Sequence, residues 1–166
     1  MPFGPVVSLV IQAEGASALR ELIESGRTRE LRTADMHPAA CAASVLPAMD
    51  YLNAMRLRTW MRRALHQHYA PFDALIAPAR ATVAYPIDRP FNEVYREFRG
   101  GPTVIQAGNV AGQPAMVVPT GFGPGGLPTG LQFTGKAWSE GRLIALARAY
   151  QAATDRHRRR PPSDEW

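Results

Sequence analysis

A chain of 166 residues, 46% hydrophobic and 20% charged, is long enough for one domain around a single core and too apolar to stay disordered. No stretch approaches the roughly 18 uninterrupted apolar residues that a membrane-spanning helix requires, so a membrane partner is not expected. The net charge of +5 includes the tail arginines Arg156, Arg158, Arg159 and Arg160, partly offset there by Asp155, Asp164 and Glu165; with no recognition motif or interleaved aromatics, nucleic acid is set aside as a partner.

The opening MPFGPVVSLVIQAEGAS has no basic region before its apolar run and meets Glu14 early, unlike a secretory signal, so a cytoplasmic setting is expected. The first predicted element is a helix over Ala13–Ser25, where Ala16, Leu19, Leu22 and Ile23 recur at helical spacing. Gly26 supplies its stop, and Pro38 is expected to break the segment that follows. Cys41 stands alone, so the chain holds no internal disulfide, and within AACAAS it reads as a small packing residue.

A longer helix is predicted after Ser44 as its cap, with Pro47 in the first turn and an end before Pro71. Met49, Leu52, Arg56 and Trp60 fall on one stripe of it, expected to face the core with Arg56 as the interruption. His66 and His68 are two apart and share no helix face, so they are not read as a metal pair. Nothing in the chain calls for a metal or cofactor.

Beyond Pro71 the pattern changes to strands: Ala74–Pro78, Pro114–Gly121 and Pro128–Gly135 are short apolar runs between turn signals. Such runs suit strands covered on both faces, and GFGPGG makes the turn between the last two. Gly112 and Pro114 flank the start of the second strand, and Asn109 has the chemistry to hold that turn with its side chain. A final helix begins near Ser139 and carries Leu143, Leu146, Ala147, Tyr150 and Ala153 on one face. The fold class is α/β, with strands of a mixed sheet covered by helices. Three short apolar strands make a small sheet with edges that invite pairing, so the chain reads as part of something larger.

The ordered set of segments is specific. The stretch Asn109–Thr154, NVAGQPAMVVPTGFGPGGLPTGLQFTGKAWSEGRLIALARAYQAAT, resembles the carboxy-terminal pattern of the amidase-signature family. FDALIAPA at Phe72–Ala79 is similar to that family's strand ending in proline, and DYLNAMRLR at Asp50–Arg58 to its helix bearing tyrosine and arginine. The resemblance implies a partial amidase-signature fold, with residues 1–166 as its carboxy-terminal segment.

Complete members of that family cleave carboxamides with a serine nucleophile, a second bridging serine and a lysine base. A serine hydroxyl needs such a base to become a nucleophile, and backbone amides of a glycine-rich loop then stabilise the oxyanion. Here Ser8, Ser17, Ser25, Ser44, Ser139 and Ser163 all lie outside any paired, glycine-rich loop, and the only lysine, Lys136, follows the last predicted strand. No catalytic residue is therefore assigned, and the expected partner is an amino-terminal amidase chain carrying the Ser-Ser-Lys triad. The alternative is a non-catalytic relic whose strand edges are covered by self-association.

The resemblance implies that GGPTVIQAGN helps wall the substrate pocket, with Gln106 and Asn109 as the candidate substrate-facing residues and local capping as their other possible role. Members acting on glutamine carry an acidic residue at the position held here by Pro102, a departure that favours a general small-amide hydrolase.

Overall fold

A computed structural model describes residues 1–31, 36–89, 94 and 104–160, and the chain divides into two compact units, Met1–Leu65 and His66–Trp166. The first unit is helical: α1 (Phe3–Ala18), α2 (Arg20–Glu24), a 3-10 turn (Arg27–Glu30), α3 (Met36–Ala43) and most of α4 (Ala48–Tyr69). Helix α1 starts at Phe3 rather than Ala13, because Pro5 lies in its first turn, where the missing N–H has no intrahelical partner to lose. The helical path then breaks at Leu19 (φ −106°, ψ 22°), and Gly26 ends α2 in the left-handed conformation, as expected.

Three further expectations in this unit are corrected here. Pro38 does not break the chain; it sits in the first turn of α3. The Ser44 hydroxyl donates to the Ala40 carbonyl (3.0 Å), closing α3 instead of capping α4. The stripe of Met49, Leu52 and Trp60 does not face the core: those side chains are 73%, 51% and 55% exposed, while Ala54, Met61 and Tyr69 are the buried positions of α4. Arg56 is exposed too and donates to Asn53 Oδ1 (3.0 Å).

The second unit holds β1 (Leu75–Pro78), α5 (Ile105–Ala111), β2 (Ala115–Phe122), a 3-10 turn (Pro124–Gly126), β3 (Pro128–Thr134), α6 (Glu140–Ala153) and a last 3-10 turn (Arg156–Arg158). The three predicted strands share one sheet in the order β1-β3-β2, paired antiparallel, with Ile76 and Met116 both opposite Phe133 and with Pro78 and Val118 both opposite Leu131. Directly opposed residues share a face. On that face Val118 and Phe133 pack with Leu143 and Ala147 of α6, joined by Met116, Leu131, Leu146 and Tyr150. This is the core, and burying each large side chain in it contributes about 1.5–3 kcal/mol. The sheet and α6 must meet closely: a Cβ on Gly135 would fall 2.3 Å from Ser139 Oγ and 3.0 Å from Leu143 Cδ2, so only glycine fits. Ser139 holds the N-cap position of α6, but its hydroxyl donates back to the Lys136 carbonyl (2.6 Å) and leaves the helix amides alone.

The opposite face is polar at its centre. Thr134 is fully buried and accepts from Gln132 Nε2 (2.8 Å), and it is hydrogen-bonded with Tyr69, the last residue of α4. Helix α5 lies here, close enough that a Cβ on Gly108 would touch Thr134 Cγ2 at 3.9 Å. Cover is not complete, contrary to the expectation: Ile76 on the α6 face and Val117 on the other are 63% and 53% exposed. The Asp73–Arg142 ion pair (2.5 Å), exposed at both ends, adds about 0–1 kcal/mol between the approach to β1 and α6.

Both outer edges carry a proline. Because Ala79 N–H donates to the Gly130 carbonyl (2.9 Å), the hydrogen-bonding groups of Gly130 point to β1. Its partner on β2, Pro119, therefore faces outward, and by the same alternation so does Pro78 on β1. Neither offers an N–H to a further strand, which is where a sheet tolerates proline.

Two outcomes test this packing. Leu143→Ala should lower unfolding free energy by about 2–5 kcal/mol in urea titrations, the cost of a large-to-small change in a closed core. Burial pushes the Tyr69 phenol above its usual 10.0, with the Thr134 hydrogen bond working against that rise. The unfolded chain then releases this proton before the folded one, so the stabilisation is complete below pH 10 and is lost as pH climbs through the folded value. Tyr69→Phe should remove this part of the alkaline loss, at a cost of about 1 kcal/mol at neutral pH for the missing hydrogen bond.

Candidate functional site

Helix α5 presents two side chains away from its packed side. Ala107, Gly108, Val110 and Ala111 are buried, whereas Gln106 and Asn109, three residues apart, are exposed on one face. Neither side chain has a hydrogen-bond partner among the described residues, so two primary amides stand together with donors and acceptors open to a ligand.

The turn that follows is built from backbone. Gly112 adopts φ 67°, ψ 42°, its N–H donates to the Asn109 carbonyl (3.4 Å) and that of Gln113 to the Gly108 carbonyl (3.0 Å). Asn109 thus serves the turn through its main chain, not through the side-chain bond expected of it. Gln113, which the sequence did not single out, follows this turn with Oε1 buried and without a hydrogen-bond partner among the described residues. An acceptor left so costs about 1–3 kcal/mol, and nothing in the GQP motif signals it. Pro102 and the start of GGPTVIQAGN lie outside the described residues, which resume at Val104.

Among the described residues, the lysine and serines are engaged with main chain or lie apart from one another. Lys136 Nζ donates to the Ala70 carbonyl (2.9 Å), and the nearby Ser139 hydroxyl is engaged by the Lys136 main chain. His66 and His68 are both exposed, and the His68 ring meets Tyr69 and Phe72 at centroid distances of 6.3 Å. Among the described residues no group of three or more His, Cys, Asp or Glu is placed to hold a metal, and no helix is long and apolar enough to cross a membrane.

Two polar contacts in the first unit escaped sequence reasoning. In the tyrosine- and arginine-bearing segment of α4, the Tyr51 hydroxyl donates to the Glu14 carboxylate. That bond, ahead of desolvation and the carboxylate's charge, holds the phenol above its usual range, while the charge of Arg58 acts against it. The second concerns Cys41, which is exposed on α3 rather than packed, with His37 beside it.

Comparison with known proteins gives these features a setting. The family model described as Amidase matches residues 6–144. A glutamyl-tRNA(Gln) amidotransferase subunit from Desulforudis audaxviator is 39% identical over 112 residues, which is 68% of this chain and 22% of that protein. The chain thus spans about a fifth of the length of the curated relatives it matches. A solved peptide amidase of Stenotrophomonas maltophilia is 32% identical with a TM-score of 0.62, covering 89% of this chain and 30% of that one. A crystal structure of an amidase superposes with a TM-score of 0.74 over 92% of this chain and 36% of that one; at 20% identity it shares the fold.

If Gln106 and Asn109 have no structural duty, Gln106→Ala and Asn109→Ala should each change stability by no more than about 0.5 kcal/mol in thermal or urea unfolding.

Proposed function

The chain belongs to the amidase family, as the match across residues 6–144 shows, and on that premise we propose that it is the carboxy-terminal part of a carboxamide hydrolase, walling the substrate pocket without being catalytic alone. The observation that carries this reading is a disproportion. Nearly the whole chain fits the amidase fold, yet it covers only 36% of a solved amidase, and its sequence has no paired-serine, glycine-rich loop.

The wall is assigned to α5. A carboxamide presents one carbonyl acceptor and N–H donors, and a primary amide side chain offers the complement of both. Gln106 and Asn109 set two such groups on one exposed face, and they are the residues proposed to meet the substrate. Strands β1, β2 and β3 contribute to the core sheet of the complete enzyme. The nucleophile, its base and the oxyanion donors come from the amino-terminal part carrying the Ser-Ser-Lys triad, in a cytoplasmic setting.

The exposed apolar stripe of Met49, Leu52 and Trp60 supports association, since large side chains left 73%, 51% and 55% exposed on one helix face are a surface that gains by being covered. The relatives named for glutamyl-tRNA(Gln) suggest a transferase role, but Pro102, where an acidic residue would grip an amino group, favours a simple small-amide substrate.

Native mass spectrometry of the protein captured from its source cells, with an aryl-amide hydrolysis assay on the same sample, tests the proposal. The expected result is an active species containing the serine loop, either as a bound partner or within one longer chain. In a complex, Trp60→Asp should weaken association by on the order of 2 kcal/mol. A bare 166-residue chain or a homo-oligomer without activity would overturn the reading in favour of a self-associating relic.

A further inference from the structure

The face of α4 that the core leaves open is not only apolar. Met49, Leu52, Arg56, Trp60 and Arg63 follow one another at steps of three and four residues, so the apolar stripe also carries two guanidinium groups, one on either side of Trp60. All five side chains belong to exposed residues. Arg56 donates to the neutral Asn53 side chain, which leaves its charge uncompensated. Arg63 has no hydrogen-bond or ion-pair partner among the described residues. Asp50 is the only acid of the helix, and it lies about 100° round from Met49, off the stripe. The face therefore holds two cations in want of a counter-charge, about 10 Å apart along the helix axis.

That charge selects among the surfaces able to cover the stripe. Any apolar surface gains by taking Met49, Leu52 and Trp60 out of water. The same contact desolvates the two guanidinium groups, which is unfavourable unless carboxylates meet them. A second copy of the chain fails this condition, since two such faces packed together bring four guanidinium groups into one contact with no carboxylate from either stripe. A surface with an apolar pocket flanked by carboxylates meets it, because each carboxylate accepts two parallel N–H bonds from one guanidinium. Tryptophan between two arginines is also the composition that dominates the energy of protein contacts.

We propose that this face docks the amino-terminal part of the amidase through an apolar patch flanked by Asp or Glu side chains, with Trp60 at its centre and Arg56 and Arg63 paired to the carboxylates. The inference rests on the reading of this chain as the carboxy-terminal part of an amidase. To that reading it adds the chemistry of the partner's surface, and it sets that partner apart from a second copy.

Carbodiimide coupling tests the proposal. Lys136 is the only lysine of the chain, so Arg56→Lys and, separately, Arg63→Lys each introduce one new amine that the reagent joins to a carboxylate in contact with it. Each variant is isolated from its source cells in its native species, coupled, digested and mapped by mass spectrometry. The expected result at both positions is an amide bond to an Asp or Glu of the part that holds the serine loop, whether that part is a separate chain or belongs to one longer chain. With a separate chain, Arg56→Gln with Arg63→Gln should lower affinity about tenfold and flatten its dependence on salt. Arg62→Gln, exposed on the same helix but off the stripe, should leave both unchanged. A native species that holds the serine loop, but in which either position fails to couple to that part or couples only within residues 1–166 or to a second copy, would overturn the docking proposal and leave the amidase reading standing. A native species without the serine loop would overturn both. Sedimentation of the chain with vesicles of phosphatidylcholine and phosphatidylserine, lost in Trp60→Asp, would overturn the docking proposal in favour of a membrane surface.

Discussion

Strand β3 has a hydrogen-bonded neighbour on each side, and the rest of the second unit takes its position from it. Phe133 faces α6 between Ile76 and Met116, while the next residue, Thr134, turns to the other face and is buried under Tyr69 and α5. One strand therefore joins an apolar layer to a polar one, and the alternation that directs side chains to opposite faces makes this possible without a buried polar group going unpaired: Thr134 is bonded to Gln132 and Tyr69. Because β1 and β2 meet only through β3, a change of register there would displace both partners and the helix above them.

That part of the molecule was largely legible in the sequence. Strands bounded by proline and glycine, and a helix with Leu143, Leu146 and Ala147 on one face, specify their own partners through burial, and they fall where expected. Periodicity was a poorer guide in α4. It shows that Met49, Leu52 and Trp60 share a face but carries no information on what covers that face, and here the described residues leave it open. Helix α1 begins at Phe3, ahead of the predicted start at Ala13, and Pro5 is harmless in its first turn. Contacts that close over sequence distance were not legible at all. Glu14 meets Tyr51 across 37 positions and Thr28 meets His37 across nine, and no local pattern announces either pairing.

The candidate site shows the same division. The sequence singled out Gln106 and Asn109 through a family resemblance, and the structure leaves both exposed: α5 buries its small residues, and Gly112 makes the turn with main-chain bonds alone. The two side-chain amides are thereby released from structural work. The unpartnered Oε1 of Gln113 lies in the same short stretch and would have been invisible without coordinates, since a glutamine in a turn motif is ordinarily solvated.

The outward-facing prolines of β1 and β2 bear on how this protein behaves at high concentration. Pro78 and Pro119 lie at the same end of the sheet, one on each margin, opposite the adjacent residues Leu131 and Gly130 of β3. Fibril growth by edge-to-edge stacking needs a continuous row of donors on every exposed margin, and each copy here would enter the stack with a donor missing on both sides. Any strand that extends this sheet must therefore pair around one missing donor on each margin.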